Sequence, residues 1–391
     1  MKILLYSEYF MPEPGGVQSI VMGLARGLAG WSSSHPEDER FEVTVATRTA
    51  ETTPEDGSLP FHLVRRPAVG DLVRLIRDAD LVHLAGPAML PLVISLGLGK
   101  VLVIEHHGFH VACPTGLLFY EPEQLPCPGY FMARKYGKCM KCQEATGKTA
   151  AQSFKTIFST KIRRMFSNRA SINIMPTDWL GTILRLRRMR TVHHGMTGPA
   201  ETAATSGNSA NFAYHGRLVS TKGVKVLLRA ATTLQQMGLP FKIRIIGNGD
   251  EMAQLKSMSA GLGDRVEFLG HVPDEKLGGA LSEFPTLVMP SLGGEVFGLV
   301  ASENMLRSKL LIASDLGALQ EVIGETGLSF PAGNSTALAQ RMQQIIAQPG
   351  LPETLGGQAR ARALRLFGQE SMIQKHIQVY REAISIERTR A

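Results

Sequence analysis

The chain is poor in the features that mark most binding and secreted proteins. Of its 391 residues only 4 are cysteine, and all four fall between Cys113 and Cys142. A disulfide framework spread along the chain is therefore excluded. Aromatic residues make up 6%. Neither an aromatic-and-basic RNA motif nor a zinc-finger spacing with paired histidines occurs, so nucleic acid is not expected as a partner. Charged residues are 19%, below the usual quarter, so much of the surface is neutral. No apolar run reaches the roughly 20 residues of a membrane-spanning helix. The best, Leu84–Gly99, is broken by Pro87 and Pro91 and reads as strand end, turn and buried helix. The opening MKILLYSEYF reads as a first strand, its apolar run being too short for a secretory signal. A cytoplasmic protein is the expectation.

What is present is apolar and glycine-rich: 44% hydrophobic residues, 40 glycines and a formal net charge of +8. The excess of cations favours phosphate groups or acidic lipid as partners. The length suits two domains. Short apolar runs alternate with amphipathic stretches, the pattern of parallel sheets covered by helices. Strands are expected at Lys2–Ser7, Phe41–Ala46, Phe61–Arg65, Asp80–Leu84, Lys100–Glu105 and Ala170–Met175. The pattern lapses between Gly195 and Asn211, in a run of Ala, Ser, Thr and Gly that reads as a linker. It resumes with strands at Asn211–His215, Lys242–Ile246, Arg265–Phe268, Thr286–Met289 and Leu310–Ala313. A last helix, Gln369–Arg388, offers Met372, Ile373, Ile377, Val379 and Tyr380 as its apolar face. The chain thus divides into residues 1–195, 196–368 and a terminal helix in 369–391, with a cysteine-rich insertion at 107–150.

Three segments carry chemistry. In EYFMPEPGGVQS, Gly15 and Gly16 lead from the first strand into a helix starting near Val17. Glycines admit a ligand close to the backbone, and a helix start attracts anions. In HGRLVSTKG (215–223), Arg217 and Lys222 stand at the carboxyl edge of the second sheet, where a bidentate fork and a mobile point charge suit a diphosphate. In MPSLGGEVFGLVASENM (289–305), Glu295 lies on a loop with Gly293–Gly294, and Glu303 lies in the following helix. Their separation, roughly 12 Å if helical throughout, is too large for one metal or one shared proton. Two carboxylates so placed can hold two ends of an extended ligand bearing vicinal hydroxyls, with the glycine turn offering amides to phosphate.

On these residues the chain resembles the family 4 retaining glycosyltransferases, the glycosyl transferase group 1 type with the GT-B fold. The resemblance also takes in IIGNGDE (245–251), FLGHVPDEKL (268–277) and IASDLGALQEVI (312–323). It implies an α/β protein of two Rossmann-like domains whose parallel sheets face across a cleft, the C-terminal helix returning to the first domain. It implies a nucleoside-diphosphate sugar as donor, UDP- or GDP-linked, and transfer of a hexosyl or N-acetylhexosaminyl group with retention and without a catalytic metal. In it Glu303 binds the ribose, Glu295 lies at the donor sugar, and Arg217 and Lys222 hold the diphosphate. The amides around Phe297, Gly298 and Leu299 cradle donor phosphate. In IEHHGFHVACP, His107 matches the family's histidine at the transferred sugar, while Gly108 replaces the aspartate that follows it. In TVHHGM, His194 stands where asparagine is usual, and Arg307–Ser308–Lys309 replace a small residue and glycine. Rival readings are a nucleotide-sugar epimerase or sugar phosphorylase of the same fold, and a non-catalytic, zinc-stapled scaffold that binds nucleotide sugar.

Cys139 and Cys142 form a C-x2-C pair, and Cys113 and Cys127 could complete a four-thiolate structural zinc site. Two disulfides or four reduced thiols are the alternatives. Two basic clusters, KIRRMFSNR (161–169) and RLRRMR (185–190), read as solvated helical faces or as docking against anionic lipid at the inner membrane face. In the second case Met165, Phe166, Leu186 and Met189 would enter the interface. That would suit a lipid-linked acceptor; a small glycoside is the other acceptor class.

Overall fold

The computed structural model describes residues 1–12, 15–34, 36, 40–196 and 207–389. Glu13 and Pro14 of the first glycine loop, and 197–206 of the expected linker, lie outside the described residues. The chain forms two compact units. The first comprises Met1–Gly116, Gly129–Gly195 and Gly368–Ala391; the second comprises Leu117–Pro128 and Met196–Phe367.

The strands of the first unit are β1 (Lys2–Ser7), β2 (Glu42–Thr47), β3 (His62–Arg65), β4 (Leu81–Ala85) and β5 (Val101–Glu105). A hairpin of β6 (Phe119–Tyr120) and β7 (Leu125–Pro126) follows but belongs to the second unit. The first sheet is completed by β8 (Ile172–Met175) and β9 (Met189–Thr191). Its order is β3-β2-β1-β4-β5-β8-β9, with every pair parallel. Leu4, Leu5, Val82, Leu84, Leu102 and Ile104 are buried regardless of alternation, as a sheet covered on both faces requires. The order reverses between β1 and β4, so the carboxyl ends of these two strands frame the crevice where such sheets bind ligands.

The helix Ala150–Ser167 starts from a full capping box: the Thr149 hydroxyl accepts from Gln152 N–H, and Gln152 Oε1 accepts from Thr149 N–H. The C-terminal helix Gln369–Arg388 buries the expected face, Met372, Ile373, Ile377, Val379 and Tyr380, together with His376. It packs on the helix Gly16–Ser34 and on β5, within the first unit. Gly27 permits this: a Cβ there would stand 2.0 Å from Ile373 Cδ1.

The second unit holds β10 (Asn211–His215), β11 (Lys242–Ile246), β12 (Val266–Gly270), β13 (Thr286–Met289), β14 (Leu310–Ser314) and β15 (Leu328–Phe330). The order is β12-β11-β10-β13-β14-β15, again wholly parallel. The order reverses between β10 and β13. Phe212, Ile245, Val288 and Ile312 are among the buried residues of a core under the helices Val224–Gln236 and Ser335–Ala347.

Two expectations need correction. The cluster RLRRMR is not a helical face: Arg185 and Arg188 adopt positive φ, and Met189–Thr191 is the edge strand β9. Part of the cysteine-rich insertion does not fold with the first unit. Phe119 is 1% exposed within the core of the second unit, and Leu117 O accepts the Gly294 N–H at 2.7 Å. Among the described residues no helix is long and apolar enough to cross a membrane.

Candidate functional site

In the second unit the loops after β10 and β13 flank the switch point, and both carry the residues singled out by sequence. Leaving β10, Gly216 takes φ 150° and Arg217 reaches solvent. Leu218 then plugs the core, its N–H donating to Asn248 O at 2.8 Å. The Tyr214 hydroxyl donates to Arg217 O at 2.7 Å and pins the turn. Burial pushes the Tyr214 hydroxyl pKa up, so it stays a donor. A Cβ at Gly247 would lie 1.8 Å from Gly216 O, so the loop after β11 can press against this turn only with glycine there.

Lys222 ends a short 3₁₀ turn, Ser220–Lys222, closed by Gly223 in the left-handed region. A Cβ on Gly223 would fall 2.0 Å from Pro290 O, so the loops after β10 and β13 lie backbone to backbone. Thr221 O accepts the N–H groups of Leu292 and Gly293 at 2.7 and 3.2 Å. This brings Lys222 Nζ onto Glu295 Oε1 as an ion pair. Ser291 Oγ donates to the same oxygen at 2.9 Å, and Ser314 Oγ donates to Ser291 O at 2.7 Å. Glu295 is buried, 7% exposed, so its charge needs both partners.

The chain then turns at Gly298, φ 92°, into the helix Leu299–Leu306. Phe297 is buried edge-to-face against Phe367, centroids 5.2 Å apart. The Ala301 and Ser302 N–H groups return to Gly298 O at 2.9 and 3.2 Å. The amides of Gly293 and Gly294 are engaged by Thr221 O and Leu117 O. The helix start at Leu299 is thus the better source of oriented dipole. Glu303 is half-buried on this helix. Burial, helped by Asp274, raises its pKa to about 7 against the pull of Arg307. His215, at the end of β10, is pushed down by burial and then by Arg307.

In the first unit a cavity of about 780 Å³ opens at the switch point between β1 and β4. Tyr9, Val17, Gly86, His107, Arg48, Arg66 and Arg163 are among its lining residues. His107 is neutral at ordinary pH because burial pushes its pKa down to about 3. Its ring stacks on His194 with centroids 5.1 Å apart. Gly15 and Gly16 are exposed at the start of the first helix, and Gly15 O accepts from Ser19 N–H at 3.2 Å. Asp80 Oδ2 accepts from Lys2 N–H at 2.7 Å, so Asp78–Asp80 mark the amino edge of this sheet, away from the ligand side. None of the four cysteines is joined in a disulfide. Cys139 and Cys142 are buried one turn apart on the helix Tyr136–Glu144, and Cys113 Sγ lies 3.2 Å from Thr115 Oγ1. Cys127 follows the hairpin in the second unit.

Sequence reasoning did not single out Tyr214, Ser291, Arg48 or Arg66, and it took Arg163 only as part of the cluster KIRRMFSNR. A tyrosine in a strand and a serine in a loop carry no spacing signal, and Arg48, Arg66 and Arg163 meet only through the fold. Of the side chains expected at a lipid surface, Met165 is exposed, but Leu186 is buried and Phe166 packs into the core of the first sheet. Phe154 and Phe158, 68% and 56% exposed, share the Met165 face instead.

The backbone as a whole is that of GT-B glycosyltransferases. The Anabaena protein HepE, solved in complex with UDP, aligns over 97% of this chain and 99% of its own, with TM-score 0.71 at 18% identity. Sucrose-phosphate synthase from Thermosynechococcus elongatus aligns over 98% and 99%, with TM-score 0.69 at 21% identity. Residues 202–362 match the family model of glycosyl transferases group 1. Relatives of the chain include a phosphatidyl-myo-inositol mannosyltransferase of Mycobacterium leprae, 34% identical over 161 residues, which are 41% of this chain and 42% of the relative. A lipopolysaccharide core biosynthesis mannosyltransferase of Rhizobium leguminosarum, LpcC, is 33% identical over 164 residues, 40% and 46% of the two chains. The match thus spans less than half the length of these curated relatives.

Proposed function

We propose that the protein is a glycosyltransferase that moves a hexosyl or N-acetylhexosaminyl group from a nucleoside-diphosphate sugar to an acceptor hydroxyl, with retention and without a catalytic metal. The observation that carries this is the Lys222–Glu295 pair, set on two adjoining loops at the switch point of the second sheet. Without donor, the cation and the carboxylate satisfy each other. With donor, the diphosphate takes up Lys222, and Glu295 is released to the sugar hydroxyls.

The leaving diphosphate gains charge as the glycosidic bond breaks. Lys222, Arg217 and the helix start at Phe297–Leu299 stabilise that charge without reorganising. Glu303 accepts from the ribose hydroxyls. His107, neutral and lining the first unit's cavity, contacts the transferred sugar as the resemblance implies. The same cavity presents Arg48, Arg66 and Arg163 against one acid, Glu8. That balance supports an acceptor with an anionic group. The exposed stripe of Phe154, Phe158 and Met165, beside exposed Lys155 and Lys161, supports peripheral contact with an acidic membrane, and hence a lipid-linked acceptor over a small glycoside.

The test is calorimetry with UDP and GDP, each alone and as its sugar, followed by mass spectrometry of products and NMR of the new anomeric centre. Binding of a nucleoside diphosphate with transfer of the sugar in its original anomeric form is expected. Phosphorolysis or epimerisation in place of transfer would overturn the reading, as would inversion.

A further inference from the structure

The first unit buries a cluster of which the transfer reaction uses only His107. Glu105, at the end of β5, is 1% exposed. Its carboxylate faces His83 of β4, His107 and His194, and His376 of the C-terminal helix. His83 Nε2 lies 3.2 Å and His376 Nε2 3.4 Å from the same atom, Oε2. These three side chains are 2% exposed or less, and their ligand atoms all lie within 4.8 Å of one another.

The hydrogen bonds decide what lies between them. His376 Nδ1 stands 2.9 Å from Met372 O. A carbonyl only accepts, so Nδ1 carries the hydrogen. In the neutral ring Nε2 then holds a lone pair, aimed at a carboxylate oxygen that also only accepts. Two acceptors 3.4 Å apart in a dry interior repel unless a cation is shared between them. Glu105 Oε1 has no hydrogen bond of good geometry either, the nearest partner being His194 Nδ1 at 3.4 Å. His107 Nε2 likewise has no hydrogen-bond partner.

We propose that His83 Nε2, His376 Nε2 and Glu105 bind a structural zinc ion that fastens the C-terminal helix to β4 and β5. Ligand atoms about 2.0–2.1 Å from a tetrahedral ion lie about 3.3 Å from one another. The two nitrogen-to-oxygen separations, 3.2 and 3.4 Å, match that edge. The outer shell fits as well. His83 Nδ1 lies 2.7 Å from the Tyr380 hydroxyl, and His376 Nδ1 is held by the Met372 carbonyl, so each ring has its far nitrogen fixed by a hydrogen bond as zinc ligands do. Two imidazoles and one carboxylate suit zinc among abundant divalent ions, not magnesium or calcium. With all three ligands buried, the ion enters as the chain folds. Residues 83 and 105 come from β4 and β5 and residue 376 from the last helix, so the ion joins segments far apart in the chain.

The full chain is refolded from denaturant with zinc or with EDTA, and again with cobalt, as wild type, His376→Gln and Tyr380→Phe. Wild type should hold one more equivalent of metal than His376→Gln. Its cobalt form should show weak d–d bands, without thiolate charge transfer, that the variant lacks; metal on the cysteines would carry thiolate bands and persist. Zinc should raise the wild-type melting temperature above that in EDTA. Tyr380→Phe preserves the helix and should weaken zinc about 10–100-fold through the outer shell, which tests the site even if His376→Gln fails to fold. Equal metal content in wild type and His376→Gln would overturn the proposal. So would a melting temperature indifferent to zinc that falls as pH rises through the imidazole range, since a proton would then occupy the cluster. Either failure leaves the donor reading untouched, because the calorimetry with nucleoside diphosphates is independent of it.

Discussion

Lys222 has two roles in this structure, and Lys222→Ala separates them from the single role of Arg217. Lys222 neutralises Glu295, whose side chain is 8% exposed against 22% for the lysine. Removing one member of a buried pair leaves the other charged and dry, a change of about 3–5 kcal/mol when both are fully buried. Water reaches part of the lysine, so about 2–3 kcal/mol of destabilisation is expected. Arg217 is exposed, and Arg217→Ala should stay within about 0.5 kcal/mol of wild type. Toward a nucleoside diphosphate both variants should lose a charge-assisted bond of about 1.5–3 kcal/mol, roughly tenfold to a hundredfold in affinity. For uridine, which lacks phosphate, Arg217→Ala should bind as wild type does. Adding Glu295→Gln to Lys222→Ala removes the stranded carboxylate, so the double variant should recover most of the lost stability and none of the affinity. Denaturant melts and calorimetry on the four proteins measure all of this. If Lys222→Ala melts like wild type, or if the double variant is no more stable than the single, the ion pair is not what holds the two loops together. If Arg217→Ala binds nucleoside diphosphate normally, the phosphate assignment is wrong.

Glu303 has its pKa raised to about 7 by burial, so its contribution to stability is greatest below about pH 4.5 and is lost as pH rises through 7. Glu303→Gln should therefore flatten the change in melting temperature between pH 5 and 8. Nucleoside affinity should run the other way in wild type, rising through pH 7 as the carboxylate forms, and should be flat in the variant. Replacing Phe154 and Phe158 with serine should leave stability unchanged, since both are exposed, and weaken binding to vesicles with acidic lipid by tenfold or more; unchanged vesicle binding would discard the membrane face. Chelation should leave the transfer rate nearly unchanged at fixed donor and acceptor, whereas a rate restored only by magnesium or manganese would refute metal-independent transfer. If Cys113, Cys127, Cys139 and Cys142 bind zinc, cobalt in its place should give thiolate bands that Cys139→Ser with Cys142→Ser removes.

Much of the second unit could be read from its sequence because its information is local. Strands Asn211–His215, Lys242–Ile246 and Thr286–Met289 fall where their apolar runs place them. Each is interior to the sheet, and burial on both faces writes an unbroken run. The edge strands β9 and β15 escaped notice. Met-Arg-Thr and Leu-Ser-Phe are too short and too mixed to stand out. The histidine cluster was hidden for a different reason. His83, Glu105 and His376 have no fixed spacing, and only the β1-β4-β5 order and the returning helix bring them together. His107 was legible because it sits in a motif; the carboxylate 3.7 Å from it, two residues away on the strand, was not.

The glycine pair at 293–294 shows how residues inside a site motif can answer to a distant segment of the chain. In the fold, Gly294 occupies the left-handed region at φ 75°, and its N–H is spent on Leu117 O. A Cβ at Gly293 would lie 2.9 Å from Phe119 Cβ and 3.1 Å from Leu117 O. Both glycines therefore answer to the hairpin 117–128, a segment more than 160 residues earlier in the chain. Its Phe119 is buried in the same core as Leu292 and Leu218. The turn is narrow because another backbone crosses it, and the consequence for the site is indirect. With the hairpin in place, the loop after β13 has its course fixed from Leu292 to Gly294, and Glu295 is delivered to Lys222 and Ser291. The cysteine-rich insertion, which sequence assigns wholly to the first domain, in this way helps to shape the donor side of the second.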